Sequence, residues 1–253
     1  MLRDYQIEMK TRLMEAWKAH RSVMVQMPTG TGKTHLLASV VSEFVSSAGS
    51  GVWLIAHRRE LVAQMEETLA KYGIRREDTP VRVMSVQWLS RHWNEAGDAP
   101  GLIVIDEAHH ALAASYTEMW KRYPAAKKLG VTATPCRLNR RGFTELFEVL
   151  VTSWSIAEFI EKGVLSVFDY VSIRPGSEEQ RLIDGREERG ADGDYQVKEM
   201  DAVLNRRPGI ERLYRSVRQF ASGKKGMVYA ISIEHARRIA EYYSRRGVNA
   251  LAV

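Results

Sequence analysis

A chain of 253 residues with 45% hydrophobic and 27% charged residues has the makeup of a globular protein with ample core for one large domain or two modest ones. Its formal charge of +6 admits a polyanionic partner without requiring one. The single cysteine, Cys136, excludes an internal disulfide framework and a cysteine-cluster zinc site; no stretch has the length of a membrane span or signal region, so a cytoplasmic, reducing setting is expected.

Strands and helices alternate along the chain, which predicts an α/β fold with a mostly parallel sheet and helices on both faces. An N-terminal helix carries Met9, Leu13, Met14 and Trp17. Residues 22–27 read as a short buried strand. Next comes Met27-Pro28-Thr29-Gly30-Thr31-Gly32-Lys33-Thr34, and then Leu36, Leu37, Val40, Val41, Phe44 and Val45 recur at helical spacing as far as Gly49. A glycine-rich turn between strand and helix points several backbone N–H groups at one concavity. With the positive end of the helix, they can hold phosphate oxygens. Lys33 is placed to reach the β/γ-phosphates of ATP, and the Thr34 hydroxyl to ligate Mg2+. Met27 stands where the strict pattern has glycine; the Gly32-Lys33-Thr34 core is intact.

A strand at residues 52–56 and a helix with Leu61, Val62, Met65 and Leu69, closed by Gly73, come next, followed by a strand at 81–86. Leu102-Ile103-Val104-Ile105 is a continuous apolar run, the pattern of a strand buried on both faces. It ends in Asp106-Glu107-Ala108-His109, two adjacent carboxylates at the edge where open α/β sheets bind ligands. Asp106 is placed for the Mg2+ shell and Glu107 to orient and deprotonate an attacking water. A short strand surrounds residues 129–132, and Cys136 after Thr134-Pro135 reads as a small packed residue.

Past about residue 150 the character changes. Ser155 and Glu158 form a capping-box pattern for a helix reaching Gly163, and residues 167–173 read as a strand. Residues 175–200 are rich in Gly, Glu, Asp and Arg and read as an exposed loop with solvated charges. A helix bearing Arg212, Arg215 and Arg218 follows Pro208, its arginines a solvated face. Residues 227–231 predict a strand, Ser232 an N-cap, and Ala236, Ile239, Ala240 and Tyr243 a helix. A last strand, 248–253, runs into the C-terminus, the pattern of a chain cut within this unit.

In this order the motifs resemble those of the superfamily 2 DEAD/DEAH-box helicases and translocases, in particular RadD-like repair proteins and restriction-enzyme motor subunits. The resemblance implies a RecA-like ATP-binding domain over residues 1–152, then a linker and an incomplete second RecA-like domain over 153–253. Arg3-Asp4-Tyr5-Gln6 matches the adenine-reading element, which implies base contacts from Gln6 and Arg3. Pro28, Thr29, Gly30, Thr31, Gly32, Lys33 and Thr34 would cradle ATP, with Mg2+ held by Thr34 and, partly through water, by Asp106. Lys33, Asp106, Glu107 and His109 would be the catalytic set. Residues 55–62 match a nucleic-acid motif that includes His57 and Arg58, and Ser85-Val86-Gln87 resembles a further strand-contacting element. Gly130-Val131-Thr132-Ala133-Thr134-Pro135 matches the coupling motif, in which the Thr132 and Thr134 hydroxyls bond toward the Asp106–His109 loop. Residues 226–232 resemble the opening strand of the second domain.

The implied function is an ATP-dependent motor on nucleic acid, DNA ahead of RNA, with a nuclease or repair partner and no membrane. In the family a Gln-x-x-Gly-Arg-x-x-Arg element completes the ATP site. Gln180 with Gly185-Arg186-Glu187-Glu188-Arg189 mimics it, but its glutamine spacing is wrong and it precedes the second-domain strand, so it reads as a decoy and slow turnover is expected of this chain alone. The alternative is a nucleotide-gated nucleic-acid-binding or adaptor protein without motor activity. A phosphate-loop kinase would leave Gln6, His57-Arg58 and Thr132-Ala133-Thr134 without a role.

Overall fold

Apolar runs bounded by turns become the strands of one six-stranded sheet in the computed structural model, which describes residues 2–57, 59–75, 77–110, 114–135, 143–171, 200–201 and 204–253. The chain divides into two units, Met1–Val167 and Phe168–Val253. The first holds β1 (Ser22–Gln26), β2 (Val52–Ala56), β3 (Val81–Ser85), β4 (Leu102–Asp106), β5 (Lys127–Thr132) and β6 (Val149–Thr152). Their order is β3-β2-β4-β5-β1-β6, and each neighbouring pair is parallel.

Alternation along the buried strands feeds two cores. Val23, Val25, Leu54 and Val104 face one side of the sheet, where they meet α1 (Asp4–Ala19), α2 (Lys33–Ala48) and α3 (Glu60–Ala70). Met24, Trp53, Ile55, Ile103 and Ile105 face the other, against Tyr116 and Met119 of α5 (Ala114–Arg122) and against Phe147. Both faces being covered, β2 is buried along its whole length, as all-parallel sheets require. Helix α1 buries Tyr5, Met9, Leu13 and Trp17, one residue per turn on a single face. A short α4 (Val86–Leu89) follows β3 directly.

Strand β6 is an addition to the sequence expectation. Its four residues pair with β1 at the sheet edge, with Val149 and Leu150 only half-buried. The chain then turns back: Ser155 and Glu158 form the expected capping box of α6 (Ile156–Glu161). Trp154 and Phe159 pack on Tyr5 with ring centroids 5.6 and 5.1 Å away. This return carries the first unit past residue 152.

The second unit contains α7 (Arg207–Phe220), with Pro208 in its first turn, and α8 (Ile233–Ser244), capped by the Ser232 hydroxyl oxygen accepting the His235 N–H. Among its described residues the buried apolar ones are Ile210, Ile239 and Tyr243. The strands expected here do not form among the described residues: 167–171, 227–231 and 248–253 carry no ladder. Ala230, Val248 and Ala250 still pack toward the helices, while Tyr229 is 90% and Leu251 87% exposed. Apolar alternation marks a segment as strand-like, but a parallel strand exists only where a neighbour supplies its hydrogen bonds. Residues 172–199, which include the predicted loop and the Gln180/Arg186/Arg189 mimic, lie outside the described residues, as do Cys136 and Arg58.

Candidate functional site

With all strands parallel, their carboxyl ends share one edge, and the motif residues lie along it. From β3 inward, the edge presents Ser85 and Gln87, then His57 after β2, Asp106 at the end of β4, Thr132 at the end of β5, and the phosphate loop after β1. The loop and the carboxylates therefore flank β5 on its two sides.

Gly30 and Gly32 have φ of 85° and 79°, in the left-handed region that favours glycine. A Cβ on Gly32 would lie 2.5 Å from Gln6 Nε2, and one on Gly30 3.1 Å from Leu165 Cδ2. The loop is thus gripped from behind. Gln6 donates through Nε2 to the carbonyls of Thr31 and Gly32, at 3.1 and 3.2 Å, and its Oε1 accepts the Arg3 N–H at 2.9 Å. The Tyr5 hydroxyl adds a third bond, to Thr31 O at 3.0 Å, and the Thr31 hydroxyl donates to Pro28 O at 2.7 Å. In a trans peptide the C=O and the following N–H point oppositely. Holding the carbonyls of residues 31 and 32 toward α1 therefore turns the N–H groups of Gly32 and Lys33 away from it, toward the open side of the loop. Gln6 is 3% exposed, and both donors of its amide go to the loop. Lys33 is half-buried and Thr34 exposed in the first turn of α2.

Across β5, Asp106 Oδ1 accepts the Glu107 N–H at 3.0 Å. Burial pushes the Asp106 carboxyl above its ordinary value and the adjacent Glu107 charge adds to this; the Glu107 N–H, Lys33 and His109 pull the other way without cancelling it. Glu107 has φ of 50°, a left-handed backbone on a residue with a side chain, the kind of local strain found where a site over-determines its geometry. His109 Nδ1 lies 2.8 Å from Thr132 Oγ1 and 3.4 Å from Glu107 Oε2. The Thr132 hydroxyl donates to Thr134 O at 3.0 Å and accepts the Thr134 N–H at 3.1 Å. A hydroxyl has one proton to give, so His109 Nδ1 is assigned as the N–H donor to Thr132. Thr134 joins this network through its backbone, whereas the sequence reading used its hydroxyl. Met27 N–H donates to Thr132 O at 3.0 Å, tying the start of the phosphate loop to the same strand end.

At the other end of the edge, Gln87 Nε2 donates to His57 O at 2.7 Å, and Ser85 Oγ caps α4 by accepting the Trp88 N–H at 3.2 Å. Both predicted contact residues thus also shape the surface. Sequence reasoning missed Tyr5 and Leu165, which support the loop; an aromatic beside Gln6 was the available signal for Tyr5, and nothing local marked Leu165. Among the described residues no helix is long and apolar enough to cross a membrane.

Residues 1–137, more than half of the chain, match the family described as the type III restriction enzyme, res subunit. The chain belongs to this res-subunit family. It is a superfamily 2 helicase-like protein with a RecA-like fold. The res-family chain is 26% identical over 232 residues to the "51.5 kDa protein" of a Lactococcus phage (isolate 7-9), covering 91% of this chain and 48% of that protein. It is 25% identical over 279 residues to the putative ATP-dependent helicase IRC3 of Saccharomyces cerevisiae, covering 98% of this chain and 40% of IRC3. With the DNA 3'-5' translocase XPB2 of Sulfurisphaera tokodaii it shares 30% identity over 159 residues, covering 59% of this chain and 34% of XPB2. It therefore spans about half or less of these relatives. Among solved structures, its fold is similar to a nuclease-deletion mutant of the Type ISP restriction-modification enzyme LlaGI in complex with a DNA substrate mimic (TM-score 0.53, 13% identity, 87% of this chain and 24% of that one). It is also similar to the Pyrococcus furiosus Hef helicase domain (TM-score 0.51, 16% identity, 98% and 58%).

Proposed function

We propose that this chain is the ATP-binding part of a superfamily 2 motor that couples ATP hydrolysis to movement on, or remodelling of, DNA. The observation that carries it is the shared sheet edge. One end bears the proposed nucleotide site, its loop and carboxylates joined across β5 by the Thr132–His109 hydrogen bond, and the other end bears the strand-contacting motifs. The N–H groups of the loop from Gly30 to Thr34 and the Lys33 ammonium bind the phosphates. Arg3 and Gln6 would read the adenine, a role for which Gln6 must give up some of the bonds by which it braces the loop. The half-buried Asp106 carboxylate, its charge disfavoured by its surroundings, fits a hard cation. Thr34 and Asp106, the latter partly through water, would hold Mg2+, which supplies charge neutralisation at phosphate oxygens. Glu107 holds the attacking water and takes its proton. His57, Ser85 and Gln87 would contact the strand, with Arg58 added by its motif alone, and Thr132 and Thr134 would relay the state of the nucleotide site. The XPB2 and LlaGI likenesses support DNA over RNA, and the restriction-enzyme family supports a nuclease or repair partner.

The test is ATP hydrolysis by the 253-residue chain, with and without single-stranded DNA, beside Lys33→Ala and Glu107→Gln. Expected are Mg·ATP binding lost in Lys33→Ala and kept in Glu107→Gln, with a slow turnover that DNA stimulates and that Glu107→Gln lowers about 10²-fold or more. Nucleotide binding that survives Lys33→Ala would sink the site assignment. Nucleotide-dependent DNA binding without any turnover would favour the adaptor reading.

A further inference from the structure

We infer that Trp88, backed by His92, is a stacking platform for an unpaired base of the bound strand. This rests on the nucleic-acid reading of the β2–β3 end of the edge and adds a base contact where the sequence motifs provide only backbone contacts. The Trp88 and His92 rings lie 4.8 Å apart at 9°, a near-parallel stack. Neighbouring aromatic pairs in the cores, such as Trp53–Tyr123 at 73° and Trp120–Phe147 at 82°, meet edge to face.

Trp88 differs from the other apolar residues of α4 in its setting. Val86 and Leu89 are buried and hold the turn down, while Trp88 remains 38% exposed. A large apolar ring left in water at a sheet edge is a cost that a bound partner removes. The ring is also rigidly carried. Its backbone N–H is bonded to Ser85 Oγ, and His92 Nδ1 lies 2.8 Å from Trp88 O, which anchors the imidazole that the indole stacks on. Gln87, the preceding residue, is bonded to His57 O, which places the platform directly beside the strand-contacting motifs. Arg91, three residues beyond Trp88, is exposed, and so is Arg59, two residues after the His57 whose carbonyl Gln87 holds; such charges suit a phosphate backbone around an aromatic platform. A flat, exposed ring stacked on a second ring fits a nucleobase, because every base presents a π-face whatever its sequence.

The experiment measures binding of a short labelled oligodeoxythymidine, and of the same backbone carrying abasic sites, to the wild-type chain, Trp88→Ala and Trp88→Phe. Melting curves of each variant verify the fold. Expected is about a tenfold loss of oligothymidine affinity in Trp88→Ala, most of it restored in Trp88→Phe. The abasic strand should bind wild type and Trp88→Ala alike. If the wild type binds neither strand, the nucleic-acid reading fails and this proposal fails with it. If the wild type binds but Trp88→Ala binds oligothymidine equally well, or loses both strands equally, only the stacking is overturned, and the exposed pair is then a protein-contact surface.

Discussion

Asp106 shows what the site costs the chain that carries it. Its carboxyl is raised above the ordinary 3.8 because burial penalises the charge more than Lys33 and His109 offset it. A carboxyl with a higher pKa folded than unfolded binds protons more tightly in the folded state. Its contribution to stability is therefore fully present below the unfolded value and is lost as pH rises through the folded one. At neutral pH the nucleotide-free chain bears this cost. Asp106→Asn keeps an oxygen to accept the Glu107 N–H and removes the charge. The variant should melt about 2 °C higher than wild type at neutral pH without nucleotide, the gap narrowing as pH falls into the acid range. Added Mg·ATP should raise the melting temperature of wild type and leave the variant nearly unmoved. A variant that melts lower than wild type at neutral pH would refute the burial argument.

Strand β5 is the element on which the arrangement turns, because it separates the phosphate loop from the carboxylates and carries Thr132 at its end. Its Gly130 gives it room to do so. A Cβ there would lie 2.5 Å from Phe147 Cζ and 2.8 Å from Ala108 Cβ, and Ala108 follows Glu107 directly. Gly130→Ala should cost about 1–3 kcal/mol through overpacking, read as a lower melting temperature. Because the displaced neighbour belongs to the carboxylate turn, ATP turnover should fall further than stability does. Adding Phe147→Leu should recover stability without recovering turnover. Gly49 serves as the control: a Cβ there meets nothing within 4 Å, so Gly49→Ala carries only the strain of its φ of 61°, about 1 kcal/mol, and leaves turnover intact.

At the scale of the whole molecule, the two units differ in how much core each has. Met1–Val167 holds two large clusters, one on each face of the sheet, whereas the described residues of Phe168–Val253 bury Ile210, Ile239 and Tyr243 between helices. Small cores leave a domain marginal. Thermal unfolding followed by calorimetry should therefore show two transitions, the lower one from the second unit. Mg·ATP should move only the upper transition, by an amount equivalent to about 2.7 kcal/mol at about 100 times its dissociation constant. A single transition that nucleotide shifts as a whole would mean that the units unfold as one.

The central architecture and the residues proposed for the nucleotide site can be read from the chain before it folds. Strands buried on both faces read as apolar runs, which makes β1, β2, β4 and the second half of β5 legible, while edge strand β3 shows through Val81, Val83 and Met84 around an exposed Arg82. Lys33, Thr34, Asp106 and Glu107 are legible because each belongs to a short contiguous motif set at a strand end. Strand β6 was not, since a half-buried edge strand of four residues has no continuous burial to report. Residues 227–231 and 248–253 show the opposite failure: their pattern is strand-like, but the hydrogen bonds that make a strand come from a neighbour. Where the polar groups point depends on how the folded elements meet. Gln6 and Thr31 are 25 residues apart and His109 and Thr132 are 23 apart, so the bonds that brace the phosphate loop and join the carboxylate turn to β5 exist only after the sheet brings them together. The Trp88–His92 pair is local in sequence, yet the open ring face depends on which side of α4 the sheet covers. Motifs specify which groups are available; packing specifies their partners and their direction, because a hydrogen bond or a stacked ring is a relation between elements brought together by the core.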